Sequence, residues 1–265
     1  MLKLGIALNR TQKRIVTGTN FDPTAQAFIT AAGITDPNQR NAINDLTIGL
    51  KLANIFNKIP CLYPMVGPNA TAHTFNLINV ATFQLTFLGG WTFTAGAKPN
   101  GVNAYATTNF KPSINFSTPI SNSGFGFYTN TNVITTSCSL GVYENANNAY
   151  HFSDNNGSFN VNGDIAGNAS YTATDSRGHN LIQKFTTADV RSYKNGIQQA
   201  ISTFSPNLKV AALQFYIGAL SANSVAQFFA PHNLETVHMH NDLTAGEIST
   251  LYTLIFNYNT SLSRA

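Results

Sequence analysis

Charged side chains are scarce in this sequence of 265 residues, because Lys, Arg, Asp and Glu together make up 10% of it. About a quarter is usual for globular domains. Asn, Thr and Ser supply the polarity instead. This composition argues against a disordered chain, which is typically highly charged, and against a helical protein. It favours an all-β protein with many turns.

Acidic residues are absent from the first twenty positions, which carry four basic residues. Lys3, Arg10, Lys13 and Arg14 precede the first acidic residue, Asp22, and account for the whole net charge of +4. The other eleven basic residues are balanced by eleven acidic ones. Because a nucleic-acid-binding domain needs a basic face, the neutral body of the chain argues against a nucleic acid partner.

Cysteine is limited to Cys61 and Cys138, which excludes the disulfide framework of small secreted domains. Two buried thiols are the interpretation we favour, and a single disulfide between them stays open. Apolar runs of membrane-helix length are also missing, and no secretory h-region follows Met1. We therefore expect a protein that is made and folded in a cytoplasm and does not insert into a membrane.

Short apolar runs broken by Pro, Gly and Asn fill the chain from Ile59 onwards. Strands at this close spacing are typical of a sandwich. Hairpin turns of type I′ need positive φ at both central residues, which Asn-Gly tolerates. Such pairs begin at Asn100, Asn156, Asn162 and Asn195. The pattern predicts mainly antiparallel strands over residues 60–240.

Helix starts of one design precede the strands, since Asp22-Pro23 and Asp36-Pro37 each place an N-cap acid before proline at the first helical position. They predict a helical hairpin. Near the other end, Thr244 and Glu247 form the capping box of a short C-terminal helix. We divide the chain into an anchoring arm, a helical hairpin and a β-sandwich domain that includes the last helix, at residues 1–20, 21–58 and 59–265.

Motifs in the second half of the chain resemble the laminin-G-like, or concanavalin-like, lectin/glucanase superfamily. They are Tyr193-Lys-Asn-Gly196, Ile217-Gly218, Leu243-Thr-Ala-Gly-Glu247 and Leu251-Tyr252. The resemblance covers roughly residues 89–258 and implies a mainly β fold, an antiparallel concanavalin-like sandwich or jelly roll. One departure is visible: Phe228-Phe-Ala-Pro-His232 stands where many members have a Gly after the last loop's aromatic residue.

A second set of segments resembles a module in structural proteins of tailed bacteriophages, namely the crAss-like and related phages of Bacteroidota hosts. The segments lie within roughly residues 22–110. They include 25–36, 42–46, Leu50-Lys51, Tyr63-Pro64, 73–77, Gly89-Gly-Trp91 and 99–106. Such modules occur on both head and tail fibres, so the resemblance implies a virion structural protein without fixing its position on the particle.

Aromatic residues are frequent in the Asn-, Gly- and Ser-rich stretch from Ser117 to Gly178. An aromatic face stacks on a sugar ring, while neighbouring polar groups bind its hydroxyl groups. We therefore predict a glycan site in this region. Its candidate residues are Tyr143, Tyr150, Asp154, Asn156 and Tyr171.

Two histidines alternate along the predicted last strand, so His238 and His240 place both imidazoles on one face. That arrangement suits zinc if His232 or Asp242 supplies a third ligand. The interpretation we favour is a polar outer face of the strand, opposite Val237 and Met239. A zinc site is the alternative.

Calcium is the other metal to consider, because Asp154-Asn-Asn156 and Asn162-Gly-Asp164 carry hard oxygen ligands. Laminin-G-like domains often hold calcium at a sandwich edge. Both segments are equally typical of hairpin turns, which is the interpretation we favour. We predict no cofactor, with calcium left open and Asp154 and Asp164 as its candidate ligands.

Glycosidases occur in the same superfamily, and retaining hydrolysis needs two carboxyl groups about 5 Å apart, as two alternate residues of a strand supply. The glutamates are Glu144, Glu235 and Glu247, and none has an acid two residues away. Glu247 already serves the helix cap. Only distant loops that bring together Asp154, Asp164 or Asp175 would supply a pair. We therefore predict that the protein is not an enzyme. A secreted or periplasmic glycoside hydrolase is the alternative.

The two resemblances together favour a virion structural protein of a tailed phage. We expect a head or tail fibre, or a similar projection, that exposes its lectin-like domain for attachment to host-surface glycans. The expected partners are other virion proteins, capsid or tail, and a host glycan. A purely architectural virion protein without a ligand is a further alternative.

The arm suggests how such a protein is held on the particle. Leu2, Leu4, Ile6 and Leu8 alternate, so the arm can add a strand to a neighbour's sheet edge. Its basic residues would complement an acidic shell surface, and the apolar face of the helical hairpin favours threefold association. We predict a homotrimer anchored to the virion through Lys3, Arg10, Lys13 and Arg14. A disordered start on a monomer is the alternative.

Overall fold

The computed structural model describes residues 21–117, 122–145, 148–163, 169–186, 189–203 and 211–265. Its helices are α1 (Pro23–Ala31), α2 (Pro37–Leu52), α3 (Ala70–His73), α4 (Pro112–Asn115) and α5 (Ala245–Ser261), with a 3-10 turn at Phe56–Lys58. The anchoring arm predicted at residues 1–20, with its four basic residues, lies outside the described residues.

Strands fill most of the remaining chain. They are β1 (Cys61–Tyr63), β2 (Thr86–Leu88), β3 (Trp91–Thr92), β4 (Lys98–Pro99), β5 (Tyr105–Thr107), β6 (Ser123–Thr129), β7 (Ser137–Asn145), β8 (Asn148–Asn155), β9 (Ser158–Gly163), β10 (Tyr171–Thr172), β11 (Gly178–Thr186), β12 (Asp189–Lys194), β13 (Ile197–Thr203), β14 (Tyr216–Ile217), β15 (Leu220–Ala222), β16 (Val225–Gln227) and β17 (Thr236–Asn241).

Two sheets face each other. Sheet A has six strands in the order β1-β17-β6-β11-β12-β13, and sheet B has the order β10-β9-β8-β7-β14-β5-β2, with β15 and β16 joined beside β7. Neighbouring strands are antiparallel throughout sheet A and along β7, β8 and β9, whereas β15 runs parallel to β7. The long antiparallel strands produce a sandwich.

The inner faces of both sheets form one apolar core. Phe127 of sheet A and Phe152 of sheet B meet edge to face, with 5.1 Å between their ring centroids. Both side chains are almost fully buried, as are Ile182 and Val237 of sheet A and Leu140 of sheet B. Burying one such side chain stabilises the folded state by roughly 1.5–3 kcal/mol. Because a shift of one residue would turn these side chains to the outer face, their burial fixes the register of the strands.

A second core lies on the outer face of sheet A, where α1, α2 and α5 form a helical layer. Ile43 and Leu50 of α2 and Leu251 of α5 are fully buried there, beside Leu62 and Leu181 of the sheet. The ion pair between Lys58 Nζ and Glu247 Oε1, 2.7 Å apart, links the end of the helical hairpin to the start of α5.

The helix caps form as the sequence predicts. Asp22 accepts a hydrogen bond from the Thr24 amide at 2.9 Å, and Asp36 accepts one from the Gln39 amide at 2.8 Å. The capping box at Thr244 is complete. A cap of this kind is worth about 1 kcal/mol. Helix α2 ends at Leu52, and α5 is 17 residues long, more than the short helix expected.

Asn-Gly turns close two hairpins. Asn156 and Gly157 join β8 to β9, and Asn195 and Gly196 join β12 to β13, with positive φ at all four residues. The other two pairs differ from expectation. Asn162 lies inside β9, and the pair at Asn100 has positive φ only at its glycine.

The predicted fold class is confirmed: a mainly β, two-sheet antiparallel sandwich with N-terminal helices and a C-terminal helix. The boundaries proposed between arm, hairpin and sandwich domain stay a prediction. None of the described helices is long and apolar enough to cross a lipid bilayer.

Candidate functional site

The two outer faces of the sandwich differ. Helices cover the outer face of sheet A, whereas sheet B carries half-exposed side chains on its outer face around β7 and β8. Alternation along β8 directs Phe152 and Asp154 inward, and His151, Ser153 and Asn155 outward. A ligand from solution therefore has direct access to the polar side of β8.

A groove of about 290 Å³ lies on this open face. We call it the Phe228 groove. Strand β8, the start of β7, β15 and the residue after β16 contribute its walls. Its lining residues are Thr136, Ser137, Cys138, His151, Ser153, Asp154, Asn155, Leu220 and Phe228. The volume is close to the lower limit of about 300 Å³ for small-molecule sites, which suits a ligand that buries only one or two rings.

Phe228 supplies an aromatic wall. It is 51% exposed, and its backbone has a φ of +53°, a left-handed conformation that is unusual for a bulky residue. Its carbonyl oxygen accepts a hydrogen bond from the Cys138 amide at 2.7 Å, which fixes the strained backbone to β7. A strained position with an exposed ring is typical of a recognition site.

Polar side chains also line the groove beside its apolar residues. The Oγ of Ser153 lies 3.2 Å from the Nδ1 of His151, and the Oγ1 of Thr136 donates to the Oδ1 of Asn155 at 3.2 Å. Partial burial lowers the pKa of His151 to about 4, so its ring is neutral at pH 7 and can both donate and accept. Hydroxyl, amide and imidazole groups beside an aromatic ring match the two kinds of surface that a sugar presents.

Asp154 lies beneath the groove and organises the adjoining turn. Its Oδ1 accepts a hydrogen bond from the Gly157 amide at 2.7 Å, and its Oδ2 accepts one from the Thr135 amide at 3.0 Å. The side chain is therefore a support for the β8–β9 hairpin. Asn156 is exposed at the tip of that hairpin.

The five candidate glycan residues do not form one site. Asp154 lines the groove and Asn156 is next to it, whereas Tyr143 lies farther along β7, half-buried, beside Ala222 of β15. Tyr171 is in the core, where its ring stacks on Phe159 with 5.2 Å between centroids and its hydroxyl donates to Asn180 at 2.8 Å. Tyr150 belongs to β8, but its side chain lies outside the described residues.

Sequence reasoning missed the residues that close the groove. Phe228, Thr136 and His151 lie far apart along the chain and meet only in the folded sheet. One signal was present, because Phe228 begins the segment that departs from the superfamily pattern. Cys138 also lines the groove. It and Cys61 are free and buried, and burial raises the pKa of Cys138 to about 12, so its thiol is neutral.

Histidines form a buried row on the covered face of sheet A. The Nε2 atoms of His179 and His238 are 2.8 Å apart, and the Nδ1 atoms of His238 and His240 are 3.1 Å apart. The two imidazoles of β17 lie across β6 above Gly124 and Gly126, where a Cβ atom would collide with them. Burial lowers the pKa of His179 and His240 to about 3. This row replaces the polar, solvent-facing surface expected for β17.

The row does not have the geometry of a zinc site. His238 directs each of its nitrogens at another imidazole within hydrogen-bond distance, which leaves no room for an ion between them. His232, a proposed third ligand, is instead 2.8 Å from the Oγ of Ser139. Among the described residues, no group of three or more His, Cys, Asp or Glu side chains is arranged to hold a metal ion. Asp164 lies outside the described residues.

The glutamates have structural partners. Glu144 accepts a hydrogen bond from the Ala212 amide at 3.1 Å, and Glu247 serves the cap of α5. Glu235 is fully buried and accepts hydrogen bonds from Asn130 and Asn233, each at 2.8 Å. Burial raises the pKa of Glu235 to about 8. A raised carboxyl pKa is common in catalytic acids, but Glu235 does not line the groove.

Comparison with known proteins gives a fold and no family. No protein-family model and no curated protein sequence matches this chain. Among solved structures, a Trypanosoma rangeli sialidase mutant with trans-sialidase activity matches with a TM-score of 0.56 and 12% identity over 82% of this chain. Botulinum neurotoxin type C, whose cell entry depends on interaction with two ganglioside molecules, matches with a TM-score of 0.57 and 8% identity over 77% of this chain.

The binding domain of botulinum neurotoxin serotype D also matches, with a TM-score of 0.52 and 13% identity over 76% of this chain. The matches span 39% of the sialidase chain, 53% of the type C chain and 52% of the serotype D chain. Identities this low show the fold alone. The fold is a concanavalin-like β-sandwich, as the sequence predicts.

Proposed function

We propose that this protein binds glycans through the Phe228 groove. The observation that carries the proposal is the half-exposed ring of Phe228, held in a strained conformation in the same groove as the neutral His151 and Ser153 on the open sheet face. A sugar ring would stack its apolar face on Phe228. Its hydroxyl groups would exchange hydrogen bonds with Ser153, His151 and Asn155. One protein of similar fold, botulinum neurotoxin type C, depends on interaction with two ganglioside molecules for cell entry, which agrees with this proposal without carrying it.

The wider role we propose is attachment of a tailed phage to its host. In this role the protein is a non-enzymatic head or tail projection, anchored on the virion as a homotrimer through residues 1–20, with the sandwich exposed to host-surface glycans. Support comes from the sequence resemblance over roughly residues 22–110. The groove lies on the side of the sandwich opposite the helices, on the open face of sheet B.

A glycan array followed by calorimetry tests the groove. We expect Phe228→Ala to weaken binding of any glycan identified on the array by roughly tenfold to a hundredfold, because burying a Phe ring is worth about 1.5–3 kcal/mol. Ile201→Ala is the matched control, since Ile201 is also 51% exposed but lies on β13 of the other sheet. Equal binding by both variants would show that the groove is not the site.

Two other outcomes would replace the proposal. An array that is blank across host-surface polysaccharides would favour a purely architectural protein. Polysaccharide cleavage by the purified protein, abolished by one Asp or Glu substitution, would favour a glycoside hydrolase. Both experiments use the same purified chain.

Deletion of residues 2–18 tests the anchoring role. We expect the truncated protein to remain a folded trimer in light scattering and to stop assembling onto particles, because the basic arm supplies the contact. Immunogold labelling of virions reports attachment directly. Continued assembly of the truncated protein, or a monomeric intact protein, would contradict this part of the proposal.

A further inference from the structure

A larger cavity, of about 400 Å³, lies on the helical side of the molecule. We call it the α5 cavity. Tyr252 and Phe256, one turn apart on α5, contribute aromatic rings whose centroids are 5.8 Å apart. The polar residues around it include Asp175, Arg177 and Asn195. The cavity therefore repeats the combination of aromatic and polar groups found in the Phe228 groove.

The aromatic wall is held in place from below. The ring of Tyr252 stacks on the buried ring of His179, with 6.2 Å between centroids and 12° between planes. Phe256 is 39% exposed, although most of α5's apolar residues are buried. A fixed ring beside an accessible ring forms a surface on which a flat apolar ligand face can pack.

The polar side carries a balanced ion pair. The Nη2 of Arg177 donates to the Oδ2 of Asp175 at 2.7 Å, and hydrogen bonds from Arg177 hold the pKa of Asp175 below its usual value. The pair is accessible, since the side chains of Arg177 and Asp175 are 58% and 42% exposed. Carboxylate and guanidinium side by side can accept from one ligand hydroxyl and donate to the next.

Asn195 adds a further polar group. Its Oδ1 accepts a hydrogen bond from the His179 amide at 2.9 Å, which fixes the side chain next to Gly178. Gly178 has a φ of +101° and no space for a Cβ atom, because one would overlap Asn195. The local backbone thus holds the amide at the edge of the cavity.

We propose that the α5 cavity is a second glycan-binding site, specific for neutral sugar units with neighbouring hydroxyl groups. The class of ligand follows from the chemistry: the aromatic pair takes the apolar face of a sugar ring, and the Asp175 carboxylate beside the Arg177 guanidinium suits a vicinal diol. Arg264 also lines the cavity, but its guanidinium already donates to the carbonyl oxygens of Met65 and Pro64. A sugar acid would meet the Asp175 carboxylate. The inference rests on the proposed function, which it extends from one glycan contact to two.

The two sites lie on opposite sides of the sandwich, one on the open face of sheet B and one beside α5 above sheet A. One molecule would therefore contact two separate glycan segments. Two weak contacts on one chain raise the overall affinity for a polysaccharide surface because the second contact forms within an existing complex.

Amide chemical-shift mapping of the full chain separates the sites. The probes are the methyl glycosides of glucose, galactose and mannose, with methyl glucuronide as the charged comparison. We expect the neutral probes to shift Gly178, Asn195 and Tyr252 as well as the Phe228 groove. Phe256→Ala should weaken the affinity measured from the shifts at the α5 cavity at least tenfold. It should leave the affinity of the Phe228 groove unchanged. Thr253→Ala is the control for the helix, because Thr253 is exposed on α5 and does not line the cavity.

Arg177→Gln, on the surface of the cavity, provides a second variant that should fold normally and weaken binding at this site alone. Shifts confined to the Phe228 groove would overturn the second site and leave the proposed function standing. Shifts at neither site would overturn both. Methyl glucuronide binding as tightly as the neutral probes would overturn the assignment of ligand class, and cavity shifts unchanged in both variants would overturn the site itself.

Discussion

Strands β17 and β8 have the same kind of sequence but different surroundings. In β17 the polar positions are His238 and His240, and in β8 they are His151 and Ser153, while the apolar positions of both strands point into one core. Helix α5 and its neighbours bury the first polar face, whereas the second stays open as the Phe228 groove. Alternation assigns a side chain to a face of the sheet, but the docking of other elements decides whether that face meets water.

Acid should affect the covered face most. Burial keeps the folded-state pKa values of His179, His238 and His240 below 6.5, so the unfolded chain takes up protons first. Stability is then fully present above about pH 6.5 and is lost as the pH falls towards 3. Each imidazole contributes a loss of about 1.4 kcal/mol per pH unit well below pH 6.5. Urea unfolding at pH 7.5, 6 and 5 measures it.

Other buried groups act in the same pH window. Burial lowers the pKa of His73, His151 and His232 to about 4, in the same direction, whereas the raised pKa of Glu235, about 8, makes the folded state more stable as the pH falls. The variant His179→Gln separates the contribution of the histidine row from that of these other groups. It should reduce the pH slope of the unfolding free energy. An unchanged slope in this variant would contradict the burial of the row.

The glycines beneath the histidine row should tolerate no side chain. We expect Gly124→Ala to lower the unfolding free energy by about 1–3 kcal/mol, because its Cβ would overlap His240 and the Ile182 carbonyl. Gly246→Ala is the matched control, since no atom lies within 4 Å of a Cβ there. Alanine favours a helix, so this control should be neutral or stabilising by up to about 1 kcal/mol. Thermal unfolding that ranks the two variants in the opposite order would refute the packing.

The open face of sheet B should tolerate substitution with little change in the free energy of unfolding. Asn155→Ala should change the unfolding free energy by less than about 0.5 kcal/mol, because the side chain is exposed on β8. In the same protein it should weaken glycan binding, since Asn155 lines the Phe228 groove. Chemical denaturation and calorimetry on one preparation separate the two effects. A large loss of stability would mean that this face is not an open surface.

Local signals made the fold predictable. The caps at Asp22, Asp36 and Thr244 and the turns at Asn156 and Asn195 depend on neighbouring residues, so the sequence specifies them directly. The site was less predictable because its members are distant along the chain. Nothing local marks Phe228 as a partner of His151, or separates Tyr171, which fills the core, from an exposed tyrosine. The covering of β17 likewise results from the packing of α5.

A crystal structure of the full chain with an oligosaccharide identified on the array would show directly whether the Phe228 groove binds glycans. We expect a sugar ring stacked on Phe228, with hydroxyl oxygens within about 3.2 Å of Ser153 and His151, the usual limit for a hydrogen bond. An oligosaccharide bound only elsewhere on the molecule, with the Phe228 groove empty, would contradict it.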